Sequence, residues 1–496
     1  MALEREMKLL APPGFHLPDL NGVIEGMVAV GEPDQELKAT YYDTPDLRLA
    51  RWGASLRFRT GEGAPRWTLK LPSDASGPGL ARTELEFEGR PSPIPPEAAR
   101  LVRAYVRNSS LGRVARLTTR RQRVSLQDEL GLVRAVVCDD EVSVYDSRRL
   151  TARFRELEVE AVFGDTDVLE ATAERLRQAG ASAGQPLSKV ARALGPVVDT
   201  PEIPTVTLGD AATAGDVVRA AIARSVSKLL HHDPGVRLGD DIEQVHQARV
   251  ATRRLRSDLR TFRTLVDEAW GADLREQVSW LADLLGAVRD RDVLLERLRE
   301  EVTSVSSSDQ RAAHGLLARL EAEQSNVRGE LLAAMDGQRY VDLLETLLAA
   351  AAAPSLTPEA EQPARPALAA LVKRSLKHVE GAVAALTDPP IDDDLHNIRI
   401  RSKRARYAAE AAEPVWGKPA RRLASAVAGV QTVLGDLQDA VVTEQWLRRS
   451  GRASVAQSFL AGELVGMQHV AMAKSRAAFP AAWKKASSPK LRSWLR

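Results

Sequence analysis

At 496 residues the chain exceeds what one core normally organises, so two or three domains are expected. Its 27% charged and 44% hydrophobic residues describe an ordinary soluble protein, and a net charge of +2 makes any basic character local. Only 4% of residues are aromatic, which disfavours single-stranded nucleic acid gripped by base stacking, and the lone Cys138 excludes an internal disulfide or a thiolate metal cluster.

A reducing compartment fits this composition. The first residues, Met-Ala-Leu-Glu-Arg-Glu-Met-Lys, carry charges where a signal peptide needs an apolar run, and no stretch approaches the roughly 20 apolar residues of a membrane span. A cytoplasmic protein is expected.

Residues 1–199 read mostly as strand, with period-two alternation between turns such as Gly61-Glu-Gly63. Residues 200–207 contain two prolines and read as a linker. Residues 208–496 read as helix, divided by the Ala/Pro-rich stretch 349–366 into halves of about 208–350 and 366–496. His231-His232, followed by Asp-Pro-Gly, reads as a helix cap or loop border.

The strands have an unusual polarity. Glu4, Glu6 and Lys8 share one face; Arg57 and Arg59 alternate with Leu56 and Phe58; Lys70 alternates with Leu69 and Leu71. Arg82, Glu84 and Glu86 oppose Thr83, Leu85 and Phe87, while Glu156, Glu158 and Glu160 oppose Leu157 and Val159. Such faces suit either a sheet packed on helices with its charges in solvent, or a closed barrel with a polar interior and helices outside. Paired carboxylates are hard ligands for Mg²⁺ or Mn²⁺, and arginine and lysine match phosphate oxygens, so a polar interior would suit a metal-bound polyphosphate.

Glu4-x-Glu6-x-Lys8, Tyr41-Tyr-Asp43-Thr44, Arg57-x-Arg59, Lys70, Arg82-x-Glu84-x-Glu86, Glu156-x-Glu158-x-Glu160 and Ser188-Lys189 resemble the CYTH superfamily of triphosphate tunnel enzymes over residues 1–199. The resemblance implies an α+β domain built on an eight-stranded antiparallel tunnel, and metal-dependent action on triphosphates. Glu4, Glu6 and Lys8 would then form the catalytic set, with metal held by Glu4, Glu6 and one or two of Glu156, Glu158 and Glu160. Lys8, Arg57, Arg59, Lys70, Arg82 and Lys189 would hold phosphates. A further phosphate-binding arginine is expected between Arg116 and Arg123, with Arg121 and Arg123, which share one face, as the candidates and Arg120 on the other face. Asp139 or Asp140 would add an inward acid. Relatives often carry a second lysine two residues from the one matching Lys70, whereas Thr68 and Pro72 stand there here.

The helical part contains one pattern twice: His246-x-x-Arg249-x-x-x-Arg253-Arg254-x-Arg256 and His396-x-x-Arg399-x-x-x-Lys403-Arg404-x-Arg406. At about 100° per residue, offsets of zero, three, seven and ten form one narrow stripe, a position normally taken by an apolar seam. A polyanion explains cations there better than a solvated face does, because a solvated face leaves the duplication to chance. Arg254 and Arg404 border the stripe and Arg401 faces away. A second echo, Leu285-Gly-Ala-Val-Arg289-Asp290 and Leu434-Gly-Asp-Leu-Gln438-Asp439, places an acid after a glycine, where it could pair with stripe arginines or simply pack.

These stripes and their Leu-Gly-x-x-x-Asp echoes resemble the CHAD domain over about residues 208–496. The resemblance implies an all-α pair of pseudo-symmetric four-helix bundles that bind inorganic polyphosphate through His246, Arg249, Arg253, Arg256, His396, Arg399, Lys403 and Arg406. The expected function is therefore a Mg²⁺- or Mn²⁺-dependent inorganic triphosphatase with a polyphosphate-binding helical domain. Its partners would be tripolyphosphate and long-chain polyphosphate, with association to polyphosphate granules and none to membranes. The alternatives are a granule-binding protein with little catalysis, or an enzyme acting on an organic triphosphate: an adenylate cyclase or a thiamine or nucleoside triphosphatase.

Overall fold

The structure is a computed structural model that describes residues 2–72, 80–146, 149–162, 166–183, 188–195, 198, 200–306, 309–452 and 454–495; the side chains of residues 2–5, 80 and 81 also lie outside the description. The chain divides into two compact units, Met1–Glu202 and Ile203–Arg496.

Alternation in the first unit produces strands β1 (Ala2–Leu10), β2 (Val28–Gly31), β3 (Gln35–Asp43), β4 (Ser55–Thr60), β5 (Arg66–Pro72), β6 (Leu80–Phe87), β7 (Gly112–Gln127), β8 (Val133–Asp146), β9 (Arg149–Ala161) and β10 (Ser182–Ala183). Helices α1 (Arg48–Arg51), α2 (Pro96–Leu101), α3 (Arg103–Val106), α4 (Thr166–Gln178) and α5 (Lys189–Leu194) fill the connections. Eight of the described strands run in the order β1-β6-β5-β4-β3-β7-β8-β9, and β1 pairs with β9 as well as β6, so the sheet closes on itself. All these pairings are antiparallel, while β2 and β10 are short additions to β7 and β1. The sheet is thus a closed tunnel, as the resemblance implied.

Closure decides where each face goes. Leu9, Val137, Leu157 and Val159 pack outward beneath Val168, Leu169, Ala173 and Leu176 of α4. Burying each such side chain contributes about 1.5–3 kcal/mol, so the helix acts as the hydrophobic cover for this wall. The charged faces are left inside. On β7 and β8 the inward face turns apolar toward one end, where Ala115, Leu117, Val142 and Val144 meet Tyr41 and Val190 of α5.

The second unit is helical throughout. Its first half holds α6 (Ala214–Leu238), α7 (Ile242–Thr261), α8 (Glu268–Glu301), α9 (Gln310–Asp336) and α10 (Gln338–Ala352); the second holds α11 (Ala364–Ala384), α12 (Asp392–Trp416), α13 (Lys418–Ser450) and α14 (Val455–Ala486). Four helices of each half correspond, α10 being additional. Like packs against like, α6 with α11, α7 with α12 and α9 with α14, as expected of a pseudo-two-fold duplication. Leu294, Leu298, Leu316, Leu320, Trp446, Leu447, Leu460 and Leu464 join the halves in one apolar cluster.

One local expectation fails. Asp233-Pro234-Gly235 does not end a helix, because α6 continues through it to Leu238. Asp233 lies buried and accepts hydrogen bonds from Arg237 Nε (2.7 Å) and Tyr340 Oη (2.6 Å), which anchor the turn around the proline against α10. The helix ends instead at Gly239, whose φ of 81° suits a left-handed cap.

Candidate functional sites

The tunnel encloses a cavity of about 280 Å³. Its described lining includes seven basic side chains, Lys8, Arg57, Arg59, Lys70, Arg82, Arg121 and Lys189, and six acidic ones, Glu6, Glu62, Glu84, Glu86, Glu158 and Glu160. Near-balance of charge means that the free site is largely self-neutralised.

Strand register explains the pairings. Lys8 stands opposite Glu158 and Glu6 opposite Glu160 across β1 and β9. Lys8 Nζ lies 2.5 Å from Glu158 and 3.4 Å from Glu6. Arg121 is bidentate to Asp140 (2.8 and 2.7 Å) and reaches Glu158 at 3.0 Å. Lys189, set by the Ser188 cap of α5, touches Asp140 (2.8 Å), Glu156 (3.0 Å) and Glu158 (2.6 Å). Lys70 pairs with Glu84 at 3.0 Å and Arg59 with Glu62 at 2.8 Å.

These contacts set the protonation states. Burial disfavours the Glu158 carboxylate, but Lys189, Lys8 and Arg121 together hold it well below the usual carboxylate range. Burial likewise works against the Lys189 ammonium, which Asp140, Glu158 and Glu156 nevertheless raise well above the ordinary lysine value. Arg57 donates to Tyr41 Oη at 3.3 Å, and the buried Arg57 and Arg59 Nε atoms lack hydrogen-bond partners among the described residues. Burial pushes the Tyr41 phenol up, yet the neighbouring Arg57 brings it below its usual value.

Glu6, Glu158 and Glu160 bring carboxylate oxygens within 4.8 Å of one another. Three hard oxygen donors converging in a phosphate-type cavity fit a Mg²⁺-like or Mn²⁺-like ion.

Most of the expected side chains therefore meet, but not all. Glu4 stands opposite Arg82 in the β1–β6 register, and its side chain lies outside the described residues. Glu156 is fully buried behind the cavity lining, clamped by Lys189 and by Arg192 at 3.1 Å, and so does not join the carboxylate group. Arg123 shares the Arg121 face but lies beyond the cavity, 3.4 Å from Glu32. Of the two aspartates Asp140 points inward, whereas Asp139 pairs outside with Arg155. Asp43, part of the Tyr41-Tyr-Asp43-Thr44 signature, caps α1 by accepting from Leu49 and Ala50 N–H, a structural duty.

In the second unit the two stripes lie on α7 and α12, which pack against each other. All eight stripe residues are half-buried. Arg249 pairs with Asp290 of α8 at 2.8 Å, and Asp439 of α13 lies beside Arg399 in the corresponding place. Each arginine passes over a glycine: a Cβ on Gly286 would lie 3.6 Å from Arg249 Nε, and one on Gly435 3.9 Å from Arg399 Nε. The Leu-Gly echo is thus the acid-and-glycine seat of a stripe arginine. His396 Nδ1 lies 2.5 Å from Gln438 Oε1, while burial and Arg289, the residue corresponding to Gln438, lower the pKa of His246.

Arg256 lies 3.7 Å from Asp283, and Arg406 3.4 Å from Glu410. No ion pair or hydrogen bond is seen for Arg253 or Lys403 among the described residues. Burial, followed by Arg253, Arg399, Arg249 and Arg406, pushes Lys403 down to about 6. Arg254 turns from the stripe toward Glu410 (2.8 Å), and Arg401, half-buried on the other side, ties α12 to α11 through the His378 carbonyl (3.2 Å) in an exposed contact.

A closed barrel lined with metal-type carboxylates and phosphate-type cations, in one chain with a duplicated histidine-bearing helical unit, defines a tunnel protein joined to a helical module with a cationic seam. The CYTH domain family matches residues 2–194 and the CHAD domain family residues 220–448. An uncharacterized protein of Mycobacterium tuberculosis is 33% identical over 473 residues, covering 90% of this chain and 88% of its own. The chain belongs to this family of proteins in which a CYTH domain precedes a CHAD domain. Among solved structures, the CHAD domain of the plant Ricinus communis is 24% identical with a TM-score of 0.48, covering 58% of this chain and 96% of its own. PptA from Streptomyces chartreusis is 23% identical with a TM-score of 0.47, covering 55% and 100%. CYTH proteins act on triphosphates with the help of divalent metal. Among the described residues, no helix is long and apolar enough to cross a membrane.

Proposed function

We propose that the first unit is a metal-dependent triphosphatase whose substrate is inorganic tripolyphosphate, and that the second unit binds inorganic polyphosphate. The observation that carries the reading is the convergence of Glu6, Glu158 and Glu160 within 4.8 Å in a cavity otherwise lined by phosphate-type cations. Glu6, Glu158 and Glu160 would hold Mg²⁺ or Mn²⁺, with the Glu4 carboxylate as a further candidate. Such an ion, when bound, neutralises phosphate charge and polarises the phosphoryl oxygens.

The protein's own residues grip and orient the chain. Arg57, Arg59, Lys70 and Arg82 offer guanidinium and ammonium donors to the non-bridging oxygens. Lys8, Arg121 and Lys189 keep the deep carboxylates ionised and positioned. Water adds in line to the terminal phosphorus as the bridging P–O bond breaks, releasing orthophosphate and pyrophosphate. A lining that is charged almost throughout, with Tyr41 its one described aromatic side chain, favours an inorganic chain over a nucleotide or thiamine triphosphate.

Purified protein incubated with tripolyphosphate, ATP or thiamine triphosphate and Mg²⁺ or Mn²⁺ tests this. Fastest phosphate release from tripolyphosphate is expected, with almost none from Glu6→Gln. Equal release by the variant overturns the assignment.

For the helical unit the supporting observation is the unpaired centre of its stripe, Arg253 and Lys403. Binding of long-chain polyphosphate should weaken steeply with salt, as counterion release requires, and bound RNA should be displaced by polyphosphate more readily than the reverse.

A further inference from the structure

The duplicated stripe differs at one position. His246 matches His396, Arg249 matches Arg399 and Arg256 matches Arg406, but Arg253 is answered by Lys403. A guanidinium keeps its charge in essentially any protein environment, whereas an ammonium gives up its proton when buried among like charges.

Lys403 occupies that kind of environment. Half-buried between the two stripes, it faces Arg249 and Arg253 of α7 and Arg399 and Arg406 of its own helix. The acids that reach the seam are engaged with its flanks. Asp290 and Asp283 of α8 serve Arg249 and Arg256, Asp439 of α13 lies beside Arg399 with Asp436 near it, and Glu410 of α12 is shared by Arg406 and Arg254. The centre lacks the counter-charge that the flanks possess.

We propose that Lys403 makes the helical anion site proton-linked: it is largely neutral in the free protein and becomes an ammonium when a polyanion lies along the seam, so that polyphosphate is captured together with a proton. The inference rests on the polyphosphate-binding reading of this unit. The proton comes from water or buffer and resides on Lys403 Nζ, which then donates to non-bridging phosphate oxygens. In the free state, burial and the four arginines hold this amine down to about 6. A bound polyanion supplies the missing negative charge and raises it, which a singly charged anion does only weakly. Linkage then fixes the sign. Below about pH 6 the proton is increasingly present in the free protein and affinity levels off at its greatest; as pH rises from there toward the amine's value in the complex, affinity falls by up to about tenfold per pH unit.

The test is calorimetric titration of the full-length protein and of Lys403→Arg with long-chain polyphosphate, whose internal phosphates stay ionised throughout, at pH 7.5 in buffers of different ionisation enthalpy. The wild type should take up about one proton more per site than Lys403→Arg, and between pH 6.5 and 8.5 it should lose roughly 10- to 100-fold more affinity than that variant does. Should Lys403→Arg misfold, Lys403→Met should bind more weakly and likewise lose that proton. Equal uptake with and without Lys403 overturns the inference while leaving polyphosphate binding intact. Failure of the folded wild type to bind polyphosphate overturns the underlying reading and the inference with it.

Discussion

The tunnel and the helical seam both bury many cations, and they treat them in opposite ways. In the tunnel Lys8, Arg121 and Lys189 meet carboxylates, so Lys8 and Lys189 are held above their usual values and Glu158 below its own. In the seam burial and neighbouring cations lower Arg249, Arg399 and Lys403 together. Around Glu158 the tunnel's ion pairs are made before any ligand arrives, and a phosphate chain would have to rearrange them. The seam stores repulsion that a polyanion relieves. Carboxylates that can recruit metal make the first site suited to hydrolysis, and their scarcity at the centre of the second makes it suited to holding.

Removing charged groups from each site should therefore have opposite consequences. Glu158→Gln takes away the shared partner of Lys8, Arg121 and Lys189 together with a candidate metal ligand. Tripolyphosphate hydrolysis should fall by about 100-fold or more and thermal stability should drop, because buried cations are left uncompensated. Polyphosphate binding by the helical unit should be unaffected. Phosphate release, melting temperature and a binding titration on one preparation check all three.

The converse is Arg253→Ala combined with Lys403→Ala. Polyphosphate affinity should fall, with the slope of log affinity against log salt reduced by about 1 to 2. Tripolyphosphate turnover should stay unchanged, and the melting temperature should hold or rise as repulsion is relieved. A destabilised variant would break the contrast between the two sites.

A smaller effect concerns carboxylates buried to a similar degree. Asp258 of α7 is fully buried, its nearest described cation Arg254 lies 3.7 Å away, and neither oxygen has a hydrogen-bond partner among the described residues. Burial, opposed only partly by Arg254 and Arg224, pushes it up to about 7, the reverse of Glu158. A raised carboxyl pKa favours the folded state least when the group must ionise, so stability falls as pH rises from about 4 to 7. Asp258→Asn should therefore stabilise the protein on the order of 1–3 kcal/mol at pH 8 and hardly at pH 4, read by denaturant titration at both values.

The charged faces were legible because charge alternation repeats over many strands, whereas closure into a tunnel came from the family resemblance, since alternation alone suits an open sheet packed on helices as well. Arg121 over Arg120, and Asp140 over Asp139, needed the register of β7, β8 and β9, which alternation alone leaves open by one residue. Glu156 shares the pattern of Glu158 and Glu160, yet depth along the strand, not its face, puts it behind Lys189. In the helical unit the stripe and its echo were readable as repeats. The proline in α6 was misleading because Arg237, one turn further on, and Tyr340, far along the chain but in contact with Asp233, supply the anchoring that a local rule omits.

Glu6 marks the point where β1 changes partner, standing in register with Leu80 of β6 on one side and Glu160 of β9 on the other. The pair Lys8 and Glu158, 150 residues apart, closes across that same junction. During synthesis β1 has to wait for β9, the last of the eight barrel strands, before the carboxylates can meet, and every earlier nascent barrel is an open sheet with unpaired edges. Assembly of this carboxylate cluster is thus a checkpoint on closing the barrel, and chains truncated before β9 lack it altogether.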